Sequence, residues 1–141
     1  METATLPRMI ACTRLAYAAT AMFTPKTATL MVGGRRSDLT PMAMGWAGAF
    51  AAREAALATF TLASEDADPA TRRKVLLLNA AVDTLDSVSF LVLAKRQRSL
   101  MPLILGAPGA VFSAYSHFRA AQEISAAAGS GAPYEPVYAS A

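Results

Sequence analysis

At 141 residues the chain has the length of one domain. Hydrophobic residues make up 54% and charged residues 16%, with a mean hydropathy of +0.33, which is more apolar than an ordinary water-soluble domain. The formal charge of +3 comes from bases in short clusters between apolar segments, as beside membrane helices, so a nucleic-acid partner is not expected.

The first apolar segment, from Pro7 to about Met31, predicts a helix over about 8–31 that Pro25 kinks and Gly33-Gly34 ends. Arg14 and Lys26 make it the weakest membrane span. Arg14 also interrupts what would be the apolar core of a cleavable signal peptide, so none is expected. Cys12, the only cysteine, is expected as a small buried helix residue, and Tyr17, Phe23 and Leu30 are spaced to cover a neighbour.

After a connector bearing Arg35, Arg36 and Asp38, Pro41 opens a second helix over about 41–63. Gly45, Gly48, Ala52 and Ala55 form a small-residue stripe suited to close approach by another helix. Trp46, Leu57 and Phe60 share the bulkier side that carries Arg53.

A polar link follows over 64–74, in which Ser64 ends the second helix and Asp68-Pro69 reads as an N-cap with proline in the first turn. The third helix runs over about 70–94, closed by Lys95, Arg96 and Arg98, whose charge suits a helix C-terminus. Within it Asn79, Asp83 and Asp86 stand at i, i+4 and i+7 on one face. Its eleven Leu, Val and Phe residues between 75 and 94 favour insertion by about 5 kcal/mol, and two unpartnered aspartates oppose it by about 6 kcal/mol. The helix therefore needs partners for its acids, and Arg53 is the first candidate.

A fourth helix is predicted over about 99–124, beginning at Ser99 and Met101-Pro102 and kinked at Pro108. His117, with Ser113 one turn earlier, reads as an interfacial or packing residue. Residues 125–141 read as a flexible tail on which Tyr134 and Tyr138 could meet a partner. The fold class is therefore all-α, a four-helix transmembrane bundle and a multi-pass integral membrane protein. Five bases on one side of such a bundle against six on the other leave its orientation open.

The charges inside the apolar segments are Arg14, Arg53, Glu54, Asp83 and Asp86. Opposite signs at comparable depth predict an interhelical network, Arg53 with Asp83 or Asp86 and Arg14 with another carboxyl. It is either a clamp that fixes helix register or a polar site. As a site, Asp83, Asp86 and Glu54 are the candidate acid/base groups, and Arg14, Arg53 and Asn79 are the candidate binding residues. The oxygen set is too sparse, and too close to arginine, for a metal to be expected. No cofactor fingerprint or nucleophile motif is present.

Arg14, the Phe23-Thr24-Pro25-Lys26 turn, Ala52-Arg53-Glu54 and Ala81-Val82-Asp83-Thr84-Leu85-Asp86 come in an order that resembles a widespread family of small four-helix integral membrane proteins of unknown function. The likeness covers about residues 7 to 122. It departs at 18 to 21, where alanine and threonine stand in place of the expected glycine. It implies a membrane bundle and supplies no activity. The first functional expectation is a non-enzymatic accessory or scaffold subunit in the lipid bilayer, with a membrane-protein partner or a second copy. The alternative is a membrane-embedded enzyme or binding protein for a lipophilic small molecule, with Asp83 or Asp86 as acid/base.

Overall fold

A computed structural model describes residues 5–33, 35, 37 and 39–130, and among these every regular element is helical. The order is α1 (Thr5–Phe23), α2 (Pro25–Met31), α3 (Pro41–Ala63), α4 (Pro69–Gln97), a π-helical turn (Pro102–Gly106) and α5 (Ala107–Gly129).

Proline and capping side chains set several of these boundaries. Thr40 and Asp68 each accept a hydrogen bond from the backbone N–H three residues on, and each is followed by proline, which has no N–H to leave unsatisfied. Pro25 does more than kink the first segment. It divides it at Thr24 into α1 and α2, because proline cannot donate back to the preceding turn. Beyond α2, Gly33 takes φ +82, and a Cβ there would stand 2.6 Å from the Met101 carbonyl carbon, so both the backbone and the space require glycine.

The irregularity of the fourth segment lies one turn before the expected kink. Pro108 cannot donate to residue 104, and the backbone ahead of it widens, with the N–H of Ala107 bonding to Pro102 O. Gly106 belongs in this turn, since a Cβ would meet the Phe90 ring at 2.4–2.7 Å. α5 then continues to Gly129, so residues 125–129 are helical where a tail was expected; residues 131–141, with Tyr134 and Tyr138, lie outside the described residues. At the end of α4, Arg98 adopts the left-handed conformation at φ 49, which lets Ser99 N–H reach Ala94 O. Arg35 donates to the Gln97 carbonyl at the same helix end.

The helices pack as two pairs, α1 against α3 and α4 against α5, and the pairs meet along narrower lines, α1 with α5 and α3 with α4. Each pair has its own small apolar cluster. Ala18, Ala21, Ala28 and Ala51 form the first, with Tyr17 and Ala55 at its edge. Leu76, Ala120, Ala121 and Ile124 form the second, with Leu77 beside them. Alanine seams bring backbones close but remove little area from contact with the surroundings, so packing alone leaves the pairs loosely specified.

Several packing expectations are corrected. No neighbour lies within 4 Å of a Cβ placed on Gly45 or Gly48, and Ala52 is exposed, so of this stripe only Ala55 is packed, at the edge of the first cluster; α1 lies on the face of Ala51, Glu54 and Ala58. Trp46 and Phe60 are exposed while Leu57 is buried, which separates the expected bulky face. Phe23 is 83% exposed and covers nothing, whereas Tyr17 meets Phe50 edge to face. Cys12 faces outward because the helical period that turns Ala11 and Arg14 inward turns it away. Arg72, assigned to the polar link, is buried within α4.

The overall distribution of side chains is inverted relative to a water-soluble bundle. Arg14, Glu54, Asn79, Asp83, Ser113 and His117 are buried, and large apolar side chains are exposed along every long helix: Met9 on α1, Trp46 on α3, Leu85 and Leu91 on α4, Phe112 on α5. Among the described residues α4 is the one helix long and apolar enough to cross a membrane. The fold is all-α; the finer expectation of four spans is not met by α1, α3 or α5 on length and composition, since their internal charges and the hydroxyls, glycines and prolines among the alanines keep them below that threshold.

Candidate functional site

The charged groups form one alternating chain across the four long helices. It runs from Asp86 on α4 to Arg53 and Glu54 on α3, on to Arg14 on α1, and back to Asp83 on α4, where Ser113 and His117 of α5 complete it. Each acid touches an arginine and each arginine touches two acids.

Glu54 is the bridge. Its Oε1 accepts from Arg53 Nη2 at 2.7 Å, and its Oε2 lies 3.3 Å from Arg14 Nη1. The second contact is an ion pair whose angle falls short of a hydrogen bond. Arg53 also grips both oxygens of Asp86, at 2.9 and 2.5 Å, a fork-to-fork arrangement that fixes the relative rotation of α3 and α4. Its guanidinium stacks 4.3 Å from the centre of the Phe50 ring, and Phe50 meets Tyr17 at 5.9 Å. This aromatic pair joins the outer arginine to the first alanine cluster.

Asp83 is the best-supplied acid. Arg14 Nη2 donates to its Oδ1, Ser113 Oγ donates to Oδ2 at 2.7 Å, and His117 Nδ1 lies 3.3 Å from Oδ2. Arg14 Nη2 also reaches Ser113 Oγ at 3.2 Å. The helical period explains the convergence, because Ser113 and His117 are one turn apart on α5 and face the turn of α4 that carries Asp83. Asn79, one turn before Asp83, is completely buried, and its Nδ2 donates to Val75 O.

The sequence placed Arg14, Arg53, Glu54, Asp83 and Asp86 in the network with Asn79 on the same face, and the pairing falls within the alternatives it left open. Arg53 takes Asp86 and Arg14 takes Asp83, with Glu54 shared; Arg53 and Asp83 are not paired. His117 is buried as a packing residue would be, and it adds a contact with the central acid that was not expected from the sequence. The signal was present in Ser113, Ser116 and His117, three polar residues sharing one face of α5 at i, i+3 and i+4.

No protein-family model, curated protein or solved structure matches this chain. The chemistry must be read from the cluster itself.

Asp83, His117 and Ser113 are the residue types of a hydrolytic triad, but their geometry is different. In a triad the carboxylate and the hydroxyl occupy opposite ring nitrogens. Here both lie on Nδ1, and the serine proton is already committed to Asp83. Both candidate acid/base aspartates are held by arginine, and Arg14, Glu54 and Asp83 are each less than a tenth exposed. An open groove of about 420 Å³ lies elsewhere, on the outer side of α4 and α5 between Leu77, Ala81, Thr84, Tyr115 and Phe118, and none of the charged groups lines it. Among the described residues no three His, Cys, Asp or Glu side chains converge as cation ligands.

Proposed function

We propose that this chain is a small multi-pass membrane protein in which the buried Arg/Glu/Asp network is a structural clamp, and that it acts as a non-enzymatic accessory or scaffold subunit. The observation that carries this reading is the closure of the charged groups of four helices on one another, with large apolar side chains turned outward on each helix. Charges without access to water are tolerable in a bilayer when each is met by a counterpart, and here each is. The hydroxyls give a second support: Thr13, Thr20, Thr59, Thr84 and Ser89 face outward and bond to the carbonyl one turn back in their own helix, as hydroxyls do where water is scarce.

α4 can cross alone by length and apolarity, while α1, α3 and α5 would enter as its partners, supplying the cations and hydroxyls its acids need. The resemblance to small four-helix membrane proteins of unknown function belongs to the same reading. The partners it implies are lipid and either another membrane protein or a second copy. The alternative, Asp83 or Asp86 as an acid/base in an enzyme or a lipophile-binding protein, is disfavoured by the arginine on each and because neither lines the groove.

Fractionation of cells expressing the full chain tests the reading. Retention in the membrane after an alkaline wash, with recovery of a defined oligomer or partner in mild detergent, is the expected result. Release into the aqueous fraction overturns the membrane reading, and a clean monomer without partner overturns the accessory role.

A further inference from the structure

Two acceptor atoms at the α4–α5 seam, His117 Nε2 and Asn79 Oδ1, are buried and accept no hydrogen bond from any described residue. The hydrogen-bonding pattern fixes what each atom is. His117 Nδ1 lies 2.9 Å from Ser113 O and 3.3 Å from Asp83 Oδ2, and since both are acceptors this nitrogen carries the ring proton. In the neutral ring Nε2 is then a bare lone pair. Asn79 is fixed in the same way, because its Nδ2 donates to Val75 O at 3.0 Å and the reversed amide would set oxygen against oxygen.

The two residues face the same seam on neighbouring turns. Leu76 packs with Ala120, Ala121 and Ile124, and Asp83 meets Ser113 and His117, so α4 and α5 run antiparallel along this seam. Asn79 stands between Leu76 and Asp83 on the same stripe, hence opposite the turn that begins at His117. Both residues are 0% exposed. Two acceptors cannot satisfy one another, and Arg14, the nearest cation of the network, is directed to Asp83, Ser113 and Glu54.

We propose that this seam is a binding site for one buried water molecule, which donates one O–H to His117 Nε2 and the other to Asn79 Oδ1. Water has the required chemistry: two donors, no charge and the volume of a single small molecule. A lipid hydroxyl brings one donor and leaves the other atom unmet. The bound water extends the network from Asp83 through His117 to Asn79 and so ties α5 to a further turn of α4. The proposal goes beyond the clamp and does not depend on whether the bundle lies in a bilayer.

Nitrogen-15 and proton NMR on the full chain in detergent micelles tests it, and because the chain has a single histidine the ring signals need no assignment. The expected spectrum shows a proton on Nδ1, an unprotonated Nε2 shifted as an acceptor, and a cross-peak from the ring to a long-lived water. In the Asn79→Leu variant the water cross-peak should be lost while the Nδ1 proton stays. An imidazolium, or an Nε2–H tautomer bonding directly to Asn79, overturns the proposal, as does a wild-type ring without a water cross-peak. The wild-type spectrum decides alone if the variant does not fold.

Discussion

Between α1 and α3 the chain meets itself through Ala18, Ala21 and Ala51 beside the one ion pair Arg14–Glu54, whereas between the α1–α3 pair and the α4–α5 pair it meets itself through Arg14–Asp83 and Arg53–Asp86. The two seams solve different problems. Alanine permits close approach at many offsets, since one methyl group resembles the next, so it gives proximity without register. A chain of alternating charges permits one offset, because a slip of one turn leaves a buried charge facing a like charge or nothing. Closeness within the pairs is thus set by small size, and register, at the Arg14–Glu54 contact and between the pairs, by charge identity.

The strongest way to break this comparison is to remove the central cation. Arg14→Met leaves Asp83 and Glu54 buried with one fewer partner each and should cost about 3–5 kcal/mol, read as a fall in unfolding midpoint in mild detergent. The second step sharpens it. Arg14→Met/Asp83→Leu removes both charges, leaves Glu54 its contact with Arg53, and should recover part of the loss. If Arg14→Met melts like the wild type, the charged seam is not a clamp.

A smaller effect is expected in the alanine seam. Ala51→Leu inserts three heavy atoms where residue 51 is 1% exposed and should cost about 1–3 kcal/mol through overpacking. The cluster meets the charged seam through the Tyr17–Phe50 pair and through the turn of α3 that carries Glu54, so only a small coupling to substitutions at Arg14 is expected. A strong coupling energy between the two in a double-mutant cycle would show that they act as one unit.

The outer link of the network should matter least among the charges. Arg53 is 36% exposed, so Arg53→Gln is expected to cost about 1 kcal/mol or less, although its fork on Asp86 looks stronger on distances alone. Thermal unfolding of Arg53→Gln beside Arg14→Met checks the ranking. An equal or larger loss at Arg53 would move the clamp to the α3–α4 line.

Much of this was legible from residue type and spacing, and the failures share a cause. Pro41 and Asp68-Pro69 announce the starts of α3 and α4 because a cap and a proline act within one turn. The charged set was legible because charges in apolar helices need counterparts. Their pairing was legible only as alternatives, since spacing tells which face a residue occupies and not which helix stands opposite; Arg53 therefore drew both Asp83 and Asp86 as candidates, and takes the second. The same gap hid which small-residue stripe is covered, for Gly45 and Gly48 read as well as Ala51 and Ala58. His117 was missed because one histidine on an apolar helix has no partner in sequence: its acid lies 34 positions away on α4 and converges only through the antiparallel packing of α4 and α5.

The weakest expected effect lies outside both seams, at the start of α4. Asp68 accepts from Thr71 N–H at 3.0 Å, and the bonds from Thr71 hold its carboxyl below the ordinary value of 3.8. The sign follows from linkage. A carboxyl whose pKa is lower in the folded chain adds stability above its unfolded value, and the contribution fades as pH falls below 3.8 through the folded value. The difference in melting temperature between wild type and Asp68→Asn, which keeps a capping oxygen without the charge, should therefore be constant above about pH 5 and shrink toward pH 3. Asp83 and Asp86 are present in both proteins, so their own titration cancels from this difference. A difference that grows on acidification would show that the charge at residue 68 opposes folding and that α4 is capped by the oxygen alone.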